Sequence, residues 1–209
     1  MGRFFTSLRG VLGTQMTVER GRSNQPWQSH LVTMKRLFSE RIAAYAISAL
    51  LAIAWTWFAG KDIPWDALHY HLYAGYSAIN DRLAVDLLPA STQTYLNPYS
   101  HAPLYLMVHA GWPAAAIGGA LALMHSVMLF LVWELARATC RRPDGTSPAI
   151  VGWAAIVLAF INPVYLQELG STFNDITTGA LALGGYAALA GAFTGRPIPM
   201  LALGGVLLG

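Results

Sequence analysis

Residues 42–60 (IAAYAISALLAIAWTWFAG) are nineteen in a row without a charge, and further apolar runs follow at 112–136, 149–166, 176–193 and 198–209. No other feature limits the fold so strongly. As a helix rising 1.5 Å per residue, the first run covers about 28 Å, close to a hydrocarbon thickness of about 30 Å. Backbone N–H and C=O groups in lipid must bond within their own segment, so every run is expected to be helical. Charged residues make up only 11% of the chain, where soluble domains usually carry about 25%. The expected fold class is all-α: a polytopic transmembrane helical bundle of four full spans plus a truncated fifth. The run at 198–209 gives about 18 Å of helix, too short to cross. The sequence therefore reads as a fragment of a longer protein, or as a gene product that has lost its remainder.

Positive charge predicts the orientation. Arg22, Lys35, Arg36 and Arg41 precede the first run, Arg137, Arg141 and Arg142 follow the second, and Arg196 follows the fourth. Under the positive-inside rule these lie in the cytoplasm, leaving Lys61 and Arg82 outside. Residues 1–41 then form a basic cytoplasmic segment, and 42–209 the transmembrane bundle with its outer loop at 61–111. The localisation this implies is the bacterial inner (plasma) membrane, with the loop periplasmic or extracellular. The first apolar run starts too far from the N-terminus for a signal peptide. The net charge of +3 does not indicate a nucleic-acid partner, because the basic residues flank the runs instead of forming one stripe. Cys140 is the only cysteine, so neither an intrachain disulfide nor a thiolate metal cluster can form. Small residues recur at packing spacings: Ala115 with Gly119, Gly179 with Ala182, Gly184 with Ala188, and Gly204.

The outer loop is chemically dense. Between Asp62 and Pro103 lie four of the ten carboxylates, three of the six histidines and five of the nine tyrosines. A connector needs only about 4–6 residues, and long loops of this kind are where sites are found. Ile63–Pro64 breaks the chain, and residues 65–80 then read as a helix. On a 3.6-residue period Asp66, His69, Tyr70, Tyr73, Ser77 and Asn80 share one face, and Ala67, His71, Ala74 and Ala78 the other. Asp66 suits a cap or first-turn position, but it has His69 and Tyr70 one turn away on its own face. The His69-x-His71 pair points about 200° apart on a helix and cannot chelate one metal there; no metal site is assigned, although a divalent cation is one candidate cofactor. Asp81-Arg82 reads as a helix-ending pair with local charge compensation, and Asp86 before Leu87-Leu88-Pro89 as a return to the interface. Gln93, Tyr95, Asn97, Tyr99 and His101 alternate with shorter residues and suggest an extended strip over a cavity, with a turn at Asn97-Pro98. Sugars are gripped by stacking aromatics with carboxylate and amide hydrogen bonds, and the loop holds all three.

Three more polar residues stand out. His125 falls in the middle of the second run and is expected to face the bundle and make a structural hydrogen bond. Glu134 is expected to pair with Arg137, three residues on. The second outer loop, NPVYLQELGSTFNDI, brings Asp175 to the start of the fourth run, as an N-cap or a site residue, on the same side as Asp66.

WDALHYHLY with Asp66, QTYLNPYSHAPLY, and NDI with Asp175 resemble the C-type glycosyltransferase superfamily of polytopic membrane enzymes. These have a cytoplasmic N-terminus, one span, and a long first outer loop with an acidic residue and interface helices. The resemblance implies transfer of a sugar from a polyprenyl-phosphate donor to an extracytoplasmic acceptor. Asp66 would be the catalytic base, and His69, Tyr70, Tyr73, Asp86, Gln93, Asn97 and Asp175 would bind substrate. The implied partners are the polyprenyl-phosphate-linked sugar and membrane lipid, together with a membrane-protein partner or a missing C-terminal half. Members have more spans than this chain. The competing expectations are a transporter or flippase subunit and a non-catalytic membrane remnant.

Overall fold

The structure is a computed structural model that describes residues 26–60, 64–95, 97–142, 147–192 and 197–208, with side chains from Lys35 onward except that of Tyr95. Arg22, Lys61 and Arg196, on which the expected orientation partly rests, lie outside the described residues, as does Asp62. The chain divides into two units, 1–39 and 40–209. The described part of the first is the helical stretch from Pro26. Among the described residues there are helices and turns but no strand. Two helices are long and apolar enough to cross a membrane, Lys35–Ala59 and Ala114–Thr139.

The long helices are α1 (Pro26–Ala59), α4 (Ala114–Thr139) and α7 (Asp175–Ala192); the shorter are α2 (Leu72–Asn80), α3 (Ala102–His109), α5 (Ala149–Phe160), α6 (Pro163–Glu168) and α8 (Pro197–Leu208). Within the second unit, α1 buries small side chains and exposes large ones. Ala44, Ser48, Ala52 and Thr56, four residues apart on one stripe, are buried, whereas Ile42, Ile47, Leu50, Trp57 and Phe58 are exposed. α4 buries Leu121, Ala122, His125, Ser126, Leu129 and Trp133; of these Ala122 and Leu129 pack with Ala52, and Trp133 with Ala44. Small residues inward let backbones approach closely, which is how helices associate where the solvent is as apolar as their side chains. The core gathers Ala52, Ala122, Leu129, Tyr165, Leu169 and Ile176, and a second cluster joins Ala44, Trp133 and Ile156. Trp55 and Trp57 tie the end of α1 down, their Nε1 donating to Leu166 O at 2.9 Å and Ala115 O at 3.1 Å. α7 and α8 meet closest at Gly185 and Gly204. A Cβ on either would come within 3.3 Å of the other's carbonyl oxygen.

Several expectations are corrected. Glu134 does not pair with Arg137; it pairs with Arg41 at 2.6 Å, while Arg137 pairs with Glu40. Two crosswise ion pairs thus join α1 to α4, because charges on facing helices can approach more closely than neighbours on one helix are obliged to. The third run, 149–166, is not one helix. It stops at Phe160, and α6 begins at Pro163 after Asn162, whose extended backbone (ψ 123°) and side chain cap it by accepting from Val164 N and Tyr165 N. Proline has no N–H and disfavours helical geometry in the residue before it, so the helix must end there.

Candidate functional site

The outer segment folds back on itself. Residues 65–80 are helical as expected, but Ala67–His71 form a π-turn in which Leu72 N–H donates to Ala67 O, five residues back. The extra residue rotates the helix beyond it. Ser77, expected beside Asp66, is buried together with Ala67, His71, Ala74 and Gly75. That buried face crosses α3 at Gly75, where a Cβ would lie 2.5 Å from His101 O and 2.6 Å from Tyr105 Cβ. Residues 93–101 are not an extended strip. Ser91–Tyr95 and Tyr99–His101 are 3-10 turns, and Asn97 Oδ1 accepts from Tyr99 N at 3.1 Å, which makes the turn expected at Asn97-Pro98.

The closure buries two histidines. The rings of His71 and His101 stack with centroids 4.3 Å apart and planes 15° from parallel. Phe173 meets His71 edge-on at 5.5 Å, and Tyr70 meets it edge-on at 4.3 Å. The loop before α7 supplies the polar partners. Thr172 Oγ1 lies 2.7 Å from His71 Nδ1, and Asn174 Nδ2 lies 2.8 Å from both His101 Nε2 and Ser100 Oγ. An amide nitrogen can only donate, so His101 Nε2 accepts and the ring is held neutral. Burial, helped by the neighbouring His71, lowers the His101 pKa to about 4. Burial also lowers that of His71, against the pull of Asp66. His125 is buried within α4, and its Nδ1 accepts from Gly170 N at 3.1 Å, the structural bond expected of it. Gly170 itself needs a positive φ of 74° and has the Thr56 side chain where a Cβ would go.

Acidic side chains act electrostatically on this region. Burial first, then the charges of Asp66 and Asp175, raise the Tyr70 phenol above its ordinary pKa, so both carboxylates act on one hydroxyl. Asp175 also acts on Glu168, whose carboxyl is raised mainly by burial. Asp66 is half-buried and makes no cap bond. Asp175 lies in the first turn of α7, one place beyond the expected cap; Asn174 O accepts from Thr178 N there. Glu168 and Asp175 border a cavity of about 430 Å³ whose remaining wall includes Met128, Leu129, Ala159 and Tyr165. That volume is within the range of small-molecule sites, about 300–1,000 Å³. Asn162, at the break between α5 and α6, lines one side of it.

The other predicted residues separate from this group. His69 stacks on Trp65 at 4.1 Å, away from His71. Asp86 is engaged elsewhere: Arg82 holds it through both carboxylate oxygens, at 2.5 and 3.2 Å, and Tyr73 donates to it at 3.1 Å. Arg82 therefore compensates Asp86 and not Asp81, which ends α2 in the left-handed region at φ 49°. The Arg82 pair, with the phenol, holds the Asp86 carboxyl below its ordinary pKa. Gln93 meets Thr92 beside it, at 3.4 Å. Among the described residues no three histidine, cysteine, aspartate or glutamate side chains gather as a metal site. His71, His101, Thr172 and Asn174 are the residues that sequence reasoning missed. The usable signal was the small-residue face that carried His71, since small residues let another element approach. The chain matches no family model, no curated protein and no solved structure.

Proposed function

We propose that this chain is a polytopic glycosyltransferase of the C type, or the N-terminal part of one. It would lie in a bacterial inner membrane with its N-terminus in the cytoplasm and the 61–111 segment outside. The membrane reading is supported by the two long apolar helices, of which only 22% and 33% of the most apolar windows are buried. A core helix of a water-soluble domain would be mostly covered. Under this reading the four runs are spans, the third being interrupted at Asn162–Pro163, and α8 is part of a fifth.

The observation that carries the enzymatic reading is the cavity of about 430 Å³ bordered by the Glu168 and Asp175 carboxylates against an apolar wall; the charges of Asp66 and Asp175 are both felt at Tyr70. In the reaction, the Asp66 carboxylate takes the proton of an acceptor hydroxyl while its oxygen bonds to the anomeric carbon. The bond from that carbon to the lipid phosphate breaks, and polyprenyl phosphate leaves with the electron pair. A single displacement inverts the anomeric centre. Tyr70, kept protonated by its surroundings, donates a hydrogen bond to the sugar or acceptor. Arg82 cannot receive the phosphate without giving up Asp86, so the leaving group needs another cation. A transporter would use His125 along a path, but its Nδ1 is committed to Gly170 N.

The test uses the full chain reconstituted in lipid with a panel of polyprenyl-phosphate-linked hexoses and pentoses, and measures release of polyprenyl phosphate. Asp66→Asn should lower release by about 10²–10⁴-fold, the ordinary contribution of a positioned base. Release by the unaltered protein that continues at an equal rate in Asp66→Asn would defeat the reading.

A further inference from the structure

Between α2 and Ser91 the chain makes a short tip, residues 83–89, with an unusual surface. Leu83, Val85, Leu87 and Leu88 are all exposed, Val85 at 66% and Leu87 at 85%. The tip lies outside the long helices, so lipid contact of the spans does not account for it. Its one charged residue, Asp86, is neutralised internally by the two-oxygen pair with Arg82 and by the Tyr73 hydroxyl. Part of its backbone is bonded locally: Val85 N and Asp86 N both donate to Arg82 O at 3.0 Å, and Leu88 O accepts from Ser91 N at 3.1 Å. The base is fixed, with Ala90 and Thr94 buried and Ala90 N donating to Thr94 Oγ1 at 3.0 Å. Leu88, though not a glycine, is held at φ 51°, a conformation that costs a branched residue energy. A fixed base, neutralised charge and outward aliphatic side chains are the features of a surface made to leave water.

We propose that residues 83–89 insert into the boundary between headgroups and acyl chains of the lipid bilayer, as an apolar tip anchoring the outer segment. Lipid is the occupant that fits, because the segment starts after Ala59 and ends before Ala114, the ends of the two membrane-length helices. An apolar tip in a loop tethered at both ends to such helices has the same membrane face as its nearest large apolar phase. The paired carboxylate removes the main charge penalty of entering it, and the boundary with the headgroups still offers acceptors to the remaining N–H groups. The proposal rests on the membrane reading and not on sugar transfer.

The experiment places an environment-sensitive fluorophore (NBD) at single cysteines in the full chain, reconstituted in phosphatidylethanolamine–phosphatidylglycerol vesicles with and without lipids spin-labelled near the headgroup. Native Cys140, which is exposed, serves as the aqueous reference; Leu123→Cys, on the exposed side of α4, serves as the lipid reference. In a Cys140→Ser background, Val85→Cys and Leu87→Cys should both emit blue-shifted relative to Cys140. Both should be quenched at least twofold by the spin-labelled lipid. Water-like emission at both positions, with position 123 in lipid, would overturn the proposal alone. A blue shift without lipid quenching would mean that protein, such as a second copy of this chain, covers the tip, and would overturn it too. Water-like emission at position 123 would remove the membrane reading beneath it. Two tip positions guard against one variant failing to fold.

Discussion

Acid should open the outer segment, and the burial of His101 sets the sign of the effect. His101 is 6% exposed and neutral, with a pKa lowered from 6.5 to about 4. Once the 99–109 segment separates from the loop before α7, the imidazole regains its ordinary pKa. Between 6.5 and about 4, then, the open state binds a proton that the closed state refuses. Closure is fully stable above that window and loses stability as pH falls through it. At pH 4.5 the two values give a loss of about 2.4 kcal/mol relative to pH 7, or about a 60-fold larger open population. His71 acts in the same direction, opposed by Asp66. The assay is amide hydrogen exchange of peptides covering 65–80, 99–109 and 170–176 in lipid nanodiscs, corrected for the pH dependence of intrinsic exchange. Protection should fall from pH 7 to pH 4.5, less so in His101→Gln, and not at all in His71→Gln/His101→Gln. Unchanged protection in the native chain would refute the reasoning. So would an equal fall in the double variant, which would assign the effect to Asp66, Glu168 and Asp175 instead.

Gly75→Ala should separate α2 from α3, since the new methyl meets backbone and Cβ atoms that cannot swing aside. A cost of about 1–3 kcal/mol is expected for such overpacking, seen as a lower melting temperature and as faster exchange in the same three peptides. The two ion pairs between α1 and α4 should differ in weight. Arg137 is 12% exposed, stacks on Trp133 at 4.8 Å and donates to Ser147 O, whereas Arg41 is 59% exposed. Arg137→Ala should cost about 2 kcal/mol by removing the half-buried pair with Glu40 and the packing on Trp133, and Arg41→Ala about 0.5 kcal/mol. Thermal unfolding in detergent ranks them, and a reversed order would contradict this account.

α1 begins at Pro26, sixteen residues before the apolar run, where charged residues hid the helix. The helical class, the C-terminal end of α1 and, to within a few residues, the ends of α4, α7 and α8 were legible because long apolar runs bounded by charge, proline and glycine leave the backbone few alternatives. The 65–80 helix was legible for the same reason. Its buried face was legible in Ala67, His71 and Ala74, but not in Ser77, because a π-turn changes the period within a helix and no residue type announces one. That change moved Ser77 away from Asp66. The stacked histidines were invisible for another reason: His71, His101, Thr172 and Asn174 are joined by tertiary closure, which periodicity does not report. Asp66 and Asp175 were placed on one side by charge topology, and both act on Tyr70. Asp86 could not be read correctly, since its partner four residues back, Arg82, was assigned to the adjacent Asp81. The interruption at 162 was signalled by Asn162-Pro163, the same dipeptide that marks the turn at 97–98, but apolar neighbours on both sides masked it.

The π-turn also bears on how this chain can change in length. Elsewhere in the 65–80 helix, losing one residue would rotate everything after it by about 100°, lifting Ala74, Gly75 and Ser77 off α3. Within Ala67–His71 the turn already holds one residue more than an α-helix needs. A deletion there converts it to ordinary helix and leaves the register of α2 unchanged. In evolutionary terms, this is the place in that helix where a one-residue gap is absorbed without refolding its neighbours. It is also where such a gap changes which side chain stands against His101.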